Sequence, residues 1–225
     1  MKFHGYAYDL ETRRYLYTEV HDQRIDGDRW LGGTVAYVDA AGQLLGRKTL
    51  NFTAHPFVPA YRMEQLQGGY MEAVRHEDGG LELVRRARAG APEETTRIAL
   101  QAPMAADSGL HMLIRSVFPD LLAGRTVRFH IAVPGSLDSF RFRAVKVADT
   151  EFEGRPAVRF RLEPATLLRL LADPLELVYA PEQRKLVEYR GISNVHDPVT
   201  GRAYNVHIAY SSKRPSDAPE LPPGY

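Results

Sequence analysis

Thr126-Val127-Arg128-Phe129-His130-Ile131-Ala132-Val133-Pro134-Gly135-Ser136-Leu137-Asp138-Ser139-Phe140-Arg141-Phe142-Arg143-Ala144-Val145-Lys146-Val147 decides the fold class of this chain. Val127, Phe129, Ile131 and Val133 recur at every second position, with Arg128 and His130 between them. Strand side chains point alternately to two faces, so this run is a half-buried strand of an antiparallel sheet. Phe140 and Phe142 against Arg141 and Arg143 repeat the pattern, as do Val158, Phe160 and Leu162 against Arg159 and Arg161. Pairing Val133 with Asp138 leaves the loop Pro134–Leu137 and sets Phe129 opposite Phe142 and Ile131 opposite Phe140. On the other face Arg128 meets Arg143 and His130 meets Arg141. Aromatic cross-strand pairs stabilise by roughly 0.2–1 kcal/mol, whereas like charges directly opposite destabilise. After Arg143 the apolar phase moves by one, to Val145 and Val147. This predicts a β-bulge near Ala144 that brings Lys146 to the basic face.

Outward from this hairpin, turn signals recur at intervals suited to a meander. They fall at Asp9–Arg13, Asp26–Asp28, Asp39–Gly42, Asp78–Gly80, Thr150–Arg155, Ala180–Gln183 and Pro198–Gly201. The runs between them are short and rich in Tyr, Val, Phe and Leu. One segment follows helical spacing: Leu110, Leu113, Ile114, Val117, Phe118 and Leu121. Asp107 or Ser108 is placed to cap it and Pro119 to end it near Phe118, giving a helix near 108–118. A second short helix is expected at Ala165–Ala172, and the Pro-rich tail 212–225 is expected to be disordered. The expected fold is therefore mainly β with a minor α part. It is a single domain over 1–211, a long antiparallel meander forming a curved sheet or half-barrel around one main helix.

Composition sets the outer limits. With 44% hydrophobic and 25% charged residues the chain is ordinary globular protein, long enough for a sizeable core. The net charge of +1 provides no global field for nucleic acid or membranes, so no specific nucleic-acid partner is expected. The absence of cysteine removes disulfides, thiolate nucleophiles and Cys-bearing metal sites. No stretch approaches the roughly 18 apolar residues of a membrane span. Met1–Tyr6 lacks the apolar run of a secretory signal. As written, the chain reads as soluble and cytoplasmic, or periplasmic if a signal peptide was removed.

The arginine stripe is the sharpest local signal. Arg128, Arg141, Arg143, Arg159 and Arg161, side by side on strands, form a candidate anion-binding face, since guanidinium binds phosphate or carboxylate bidentately. A solvated face neutralised by Glu151, Glu153 and Glu163 is the plainer reading. Gly42–Thr49 resembles a phosphate-binding loop only superficially. Three residues separate its glycines and Arg47 precedes Lys48, so it reads as a hairpin turn and strand. The eight histidines form no metal motif; Glu19 and His21 share a strand face, but no third ligand is identifiable. Tyr189–Asp197 gathers Arg190, Ser193, Asn194, His196 and Asp197 at a strand end, with Arg190 and Asn194 as candidate ligand contacts. A Ser193–His196–Asp197 triad lacks the nucleophile elbow, so no catalytic residue, metal or cofactor is assigned. Tyr6, Tyr8, Tyr15, Tyr17, Trp30 and Tyr37 crowd the first strands. They are either core packing or, turned inward by a curved sheet, the lining of an apolar pocket.

The order of many N-terminal strands, one capped helix and further meander strands resembles the half-barrel of bacterial lipoprotein carriers and insertion factors of the LolA/LolB type. Leu121–Val127, Asp173–Leu175 and Leu186–Gly191 also resemble bacterial domains of unknown function with that shape. The resemblance is one of topology, covers most of the chain and transfers no residue. It implies a periplasmic role with a hydrophobic or acyl-chain cargo, although no lipidated N-terminal cysteine is present. The function expected is non-catalytic binding or carriage of an amphipathic, lipid-like ligand. The alternative is a module that binds another protein through its basic face or an exposed strand edge, and a hydrolase is the third reading.

Overall fold

In the computed structural model, residues 1–27, 29–165, 174–222 and 224–225 are described. The expected helix at Ala165–Ala172 lies outside them except for its first residue. Eight strands form the first arm: β1 Lys2–Asp9, β2 Tyr15–Asp26, β3 Arg29–Asp39, β4 Leu44–Asn51, β5 Ala60–Gln65, β6 Met71–Glu77, β7 Gly80–Arg86 and β8 Glu94–Ala99. A short β9, Met104–Ala106, leads into helices α1 Gly109–Ser116 and α2 Phe118–Leu122. The second arm is β10 Val127–Val133, β11 Asp138–Phe152, β12 Arg155–Pro164, β13 Leu175–Ala180, β14 Lys185–His196 and β15 Ala203–Ala209.

All fifteen strands belong to one curved, open sheet in the order β8 to β1, then β15 to β9. The chain meanders outward from β1 to β8, and β10 to β15 meander back until β15 pairs antiparallel with β1, Tyr6 opposite Ala209. The free edges, β8 and β9, are consecutive in the chain. Only Leu100–Pro103 separates them, which spans at most roughly 17 Å, so the ribbon must curl back on itself.

The deciding hairpin has the expected register: Phe129 opposite Phe142, Ile131 opposite Phe140, Arg128 opposite Arg143 and His130 opposite Arg141. Leu137 closes its loop in the left-handed conformation, φ 52°. The bulge, however, lies between Lys146 and Ala148, not near Ala144. Ala144 keeps the inward phase, opposite Val127 and Leu162, and is fully buried against the helical layer. A small side chain suffices where helices press on the sheet. Lys146 accordingly pairs with Phe160, in the phase opposite the arginines, and does not join their face.

The interior holds two apolar clusters. In the second arm, Leu113 and Ile114 of α1 and Phe118 and Leu121 of α2 pack on Phe129, Phe160, Leu162 and Tyr179. Phe118 meets Phe160 edge-on at 5.3 Å and Tyr179 at 5.6 Å between ring centroids. Pro119 does end α1, but it also opens α2 one residue after the break at Val117. Gly109 is required where α1 meets the loop before β5: a Cβ there would lie 1.9 Å from the Phe57 carbonyl oxygen. In the first arm the core is built by Tyr17, Tyr37, Leu50, Tyr61, Met63, Val74 and their neighbours.

Candidate functional site

Neighbouring strands pair Lys48 of β4 with Val35 and Met63, both buried, so strand alternation sends its side chain into the core while Arg47 faces out. There its Nζ lies 2.5 Å from Asp107 Oδ2, with both side chains almost fully buried. Asp107 sits at the β9–α1 junction in the left-handed conformation (φ 46°). Of the two expected caps, Ser108 occupies the cap position, but its side chain makes no capping bond; it donates its own N–H and hydroxyl to Asp107 Oδ1. The rings of Tyr37 and Tyr61 flank the ammonium, each centroid 5.8 Å away. Lys48 also donates to Asn194 Oδ1 at 3.3 Å, and Asn194 Nδ2 donates to Glu72 Oε1. Glu72 of β6, itself buried, accepts from the hydroxyls of Tyr61 (2.9 Å) and Tyr70 (2.7 Å).

Burial opposes charge at each of these groups. At Lys48 burial lowers the ammonium, but Asp107 and Tyr37 outweigh it and the net shift is upward. At Asp107 burial raises the carboxyl, yet the charge and hydrogen bond of Lys48 and the Ser108 bonds hold it below the usual range. At Glu72 burial prevails over the bonds from Tyr70 and Tyr61, and its carboxyl is raised. The cluster thus joins β4 to the β9–α1 junction through one buried ion pair, and both to β6 and β14 through hydrogen bonds.

Around this cluster the core is fastened by polar contacts between distant strands. Tyr17 meets Ser193 at 2.7 Å, oxygen to oxygen. Gln65 exchanges two bonds with the His196 backbone, and Tyr70 lies on the His196 ring at 3.7 Å between centroids. Glu19 accepts from Tyr210 at 3.1 Å and pairs with His21 at 2.9 Å. No group of three or more potential metal ligands is found among the described residues. Ser193, His196 and Asp197 serve different partners, Asp197 binding the turn amides of Val199 and Thr200.

The seven candidate ligand residues are not gathered around one cavity. Tyr17 lies in the core, and Asn194, half-buried, reaches Lys48 at its margin. Tyr6, Tyr8 and Tyr15 face outward and form a small cluster with Ala218 of the tail. Tyr8 donates to Asp217 at 2.9 Å, so residues 214–218 lie along β1 and β2. Trp30 packs on Phe52 at 4.3 Å. Arg190 belongs to a row of charges across the outer face, Arg161–Glu176–Arg190–His207, one residue from each of β12 to β15.

That row accounts for much of the basic stripe. Glu176 pairs with Arg161 at 3.4 Å and with Arg159 at 4.0 Å, Glu163 with Arg143 at 2.6 Å, and Glu188 with His207 at 2.8 Å. Glu163 is thus the one expected neutraliser that pairs with the stripe; Glu153 instead accepts from the Ser212 amide. Arg128 and Arg141 have no ion pair among the described residues.

The space between α1, α2 and the second arm is packed by Phe118, Phe129, Phe160 and Tyr179. Concavities lie instead outside the core. One, about 570 Å³, sits between Arg24, Arg62 and Arg75 over the small residues Gly33, Thr34 and Ala73. The larger, about 800 Å³, lies where β1, the β11–β12 hairpin and the β13–β14 turn approach one another. Phe3, Tyr6, Phe152, Ala157, Val187 and Tyr210 supply its apolar surface, Arg155 and Lys185 its cations, and Glu153 and Glu182 its acids; His4 also lines it, its imidazole pushed down by burial and by His21 and Lys2. Of the ligand-binding candidates that the sequence singles out, Tyr6 alone reaches it. The sequence marks Thr150–Arg155 and Ala180–Gln183 as turns but not as one groove, because period-two patterning reveals which residues share a face and not which strand ends converge. Compared with known protein families, with curated proteins and with solved structures, the chain matches none.

Proposed function

We propose that the protein is a non-catalytic binder of an amphipathic, lipid-like ligand, held in the 800 Å³ groove with its anionic end at Arg155 and Lys185. The observation that carries this reading is the pairing of an aromatic and aliphatic floor with a cationic rim. Its volume falls within the roughly 300–1,000 Å³ of small-molecule sites. Arg155 and Lys185 form no ion pair among the described residues, whereas Arg143, Arg159 and Arg161 do. The same class of cargo is implied by the half-barrel resemblance.

The test is native mass spectrometry of delipidated protein titrated with a long-chain fatty acid and with the matching fatty alcohol. Saturable uptake, weakened several-fold for the acid but not for the alcohol by Arg155→Ala/Lys185→Ala, is the expected result. Ala157→Trp should obstruct both ligands. Absence of saturable uptake, or uptake indifferent to Ala157→Trp, overturns the proposal.

A further inference from the structure

The groove of about 800 Å³ carries charges of both signs. Each of the two hairpins that frame it contributes one acid and one base, Glu153 and Arg155 from β11–β12, Glu182 and Lys185 from β13–β14. None of the four forms an ion pair among the described residues, although acids and bases share one groove. On the neighbouring sheet face the opposite holds, where Glu163 pairs with Arg143 and Glu176 with Arg159 and Arg161. Glu153 accepts the Ser212 amide at 3.0 Å and Glu182 the Gln183 side chain at 3.3 Å. These bonds hold the carboxylates without cancelling their charge.

The aromatic part of the groove is braced from behind. Phe3 and Tyr210 meet at 62° with centroids 6.0 Å apart. His21 stacks on Phe3 at 4.4 Å and meets Tyr210 edge-on at 5.9 Å, while Glu19 binds both His21 and the Tyr210 hydroxyl. Two aromatic walls thus form a fixed corner, and the faces of such rings are electron-rich. Tyr210 also ties this corner to the charged turns. Its amide donates to the Val187 carbonyl, next but one to Lys185, and Ser212, next but one to Tyr210, donates to Glu153.

Granting the lipid-binding role proposed above, on which this depends, we infer that the groove takes a zwitterionic phosphocholine headgroup. Its phosphate lies at Arg155 and Lys185, and its quaternary ammonium against the Phe3–Tyr210 corner in the field of Glu153 and Glu182. A purely anionic headgroup would satisfy the two bases but be repelled by the two carboxylates. A primary ammonium needs acceptors for three hydrogens, whereas a quaternary one has none to donate and is recognised through aromatic faces and nearby negative charge. Phosphate and ammonium a few bonds apart match an acid and a base that alternate along one turn, as Glu153 and Arg155 do.

The experiment titrates the full delipidated chain by calorimetry, below micellar concentrations, with lysophosphatidylcholine, with lysophosphatidic acid of the same acyl chain and with glycerophosphocholine. Lysophosphatidylcholine should bind about tenfold more tightly than lysophosphatidic acid. Glu153→Gln/Glu182→Gln should erase that preference by weakening lysophosphatidylcholine alone. Both positions are exposed, and glutamine keeps an oxygen to accept from Ser212, so the fold is undisturbed. Lysophosphatidic acid binding as tightly or more tightly in the wild type overturns the headgroup and leaves the lipid-binding role standing. A preference that survives in the double variant does the same. Glycerophosphocholine binding as tightly as the lyso-lipid supports the headgroup and overturns the acyl chain. Absence of saturable binding by all three overturns both.

Discussion

The imidazole of His111 lies nearly parallel to the ring of Tyr179, centroids 5.6 Å apart and planes 14° apart, with Nδ1 3.0 Å from the phenolic oxygen. Burial, reinforced by nearby Arg115, pushes this histidine down to about 4. The unfolded value is about 6.5. Above that value both states carry neutral imidazole and the full contribution is present. As pH falls below about 6.5 the unfolded chain takes up the proton first, and stability drains away until the folded ring titrates near pH 4. Urea denaturation at pH 7 and pH 4.5 should show a loss on the order of 2 kcal/mol that His111→Gln removes. An unchanged pH dependence in that variant would refute the assignment.

Breaking the Lys48–Asp107 pair from one side leaves a buried charge without its partner. Lys48→Met should lower stability by about 3–5 kcal/mol in chemical denaturation, and Lys48→Met/Asp107→Asn should recover part of that loss. A double variant no better than the single would mean that the pair is not coupled.

At Gly109 the limit is space. Gly109→Ala places a methyl against the Phe57 carbonyl, so α1 must retreat from the loop. The expected cost is about 1–3 kcal/mol, read as a lower urea midpoint with an unchanged slope. A midpoint equal to wild type would contradict the close approach.

Tyr8 holds the tail through Asp217. Removing the hydroxyl in Tyr8→Phe should cost about 1 kcal/mol locally. Proteolytic clipping within residues 212–220 should therefore quicken by roughly fivefold while the global midpoint barely moves. Equal clipping rates in the two proteins would show that the bond does not secure the segment.

The arm carrying the deciding hairpin is legible because two independent signals agree. Alternation names the faces of β10 and β11, and the length of Pro134–Leu137 fixes which residues meet. The bulge escapes the pattern because hydrophobicity alone ranks a valine above an alanine for the core. Under a helix the small residue wins, and Val145 and Val147 are left on the outer phase and at the bulge. Lys48 is illegible for a related reason. Arg47 and Lys48 are adjacent charges on one strand, and composition alone does not reveal which of two cations faces inward. Its partner Asp107 looks like a helix cap, and Glu72 like one more acid in a charged strand. What makes them a cluster is the curl of the sheet, which brings β4, β6 and β14 around the β9–α1 junction.

The pairing of Tyr6 with Ala209 gives the sheet its longest-range contact, while most other pairings join strands that follow one another in the chain. Loop-closure entropy is therefore concentrated at a single seam. A circular permutant opened between Leu100 and Pro103, with the old ends tied together, would turn that seam into an ordinary local turn. Its strands would then run in order from one free margin of the ribbon to the other, and it should collapse to the native state faster than the natural connectivity.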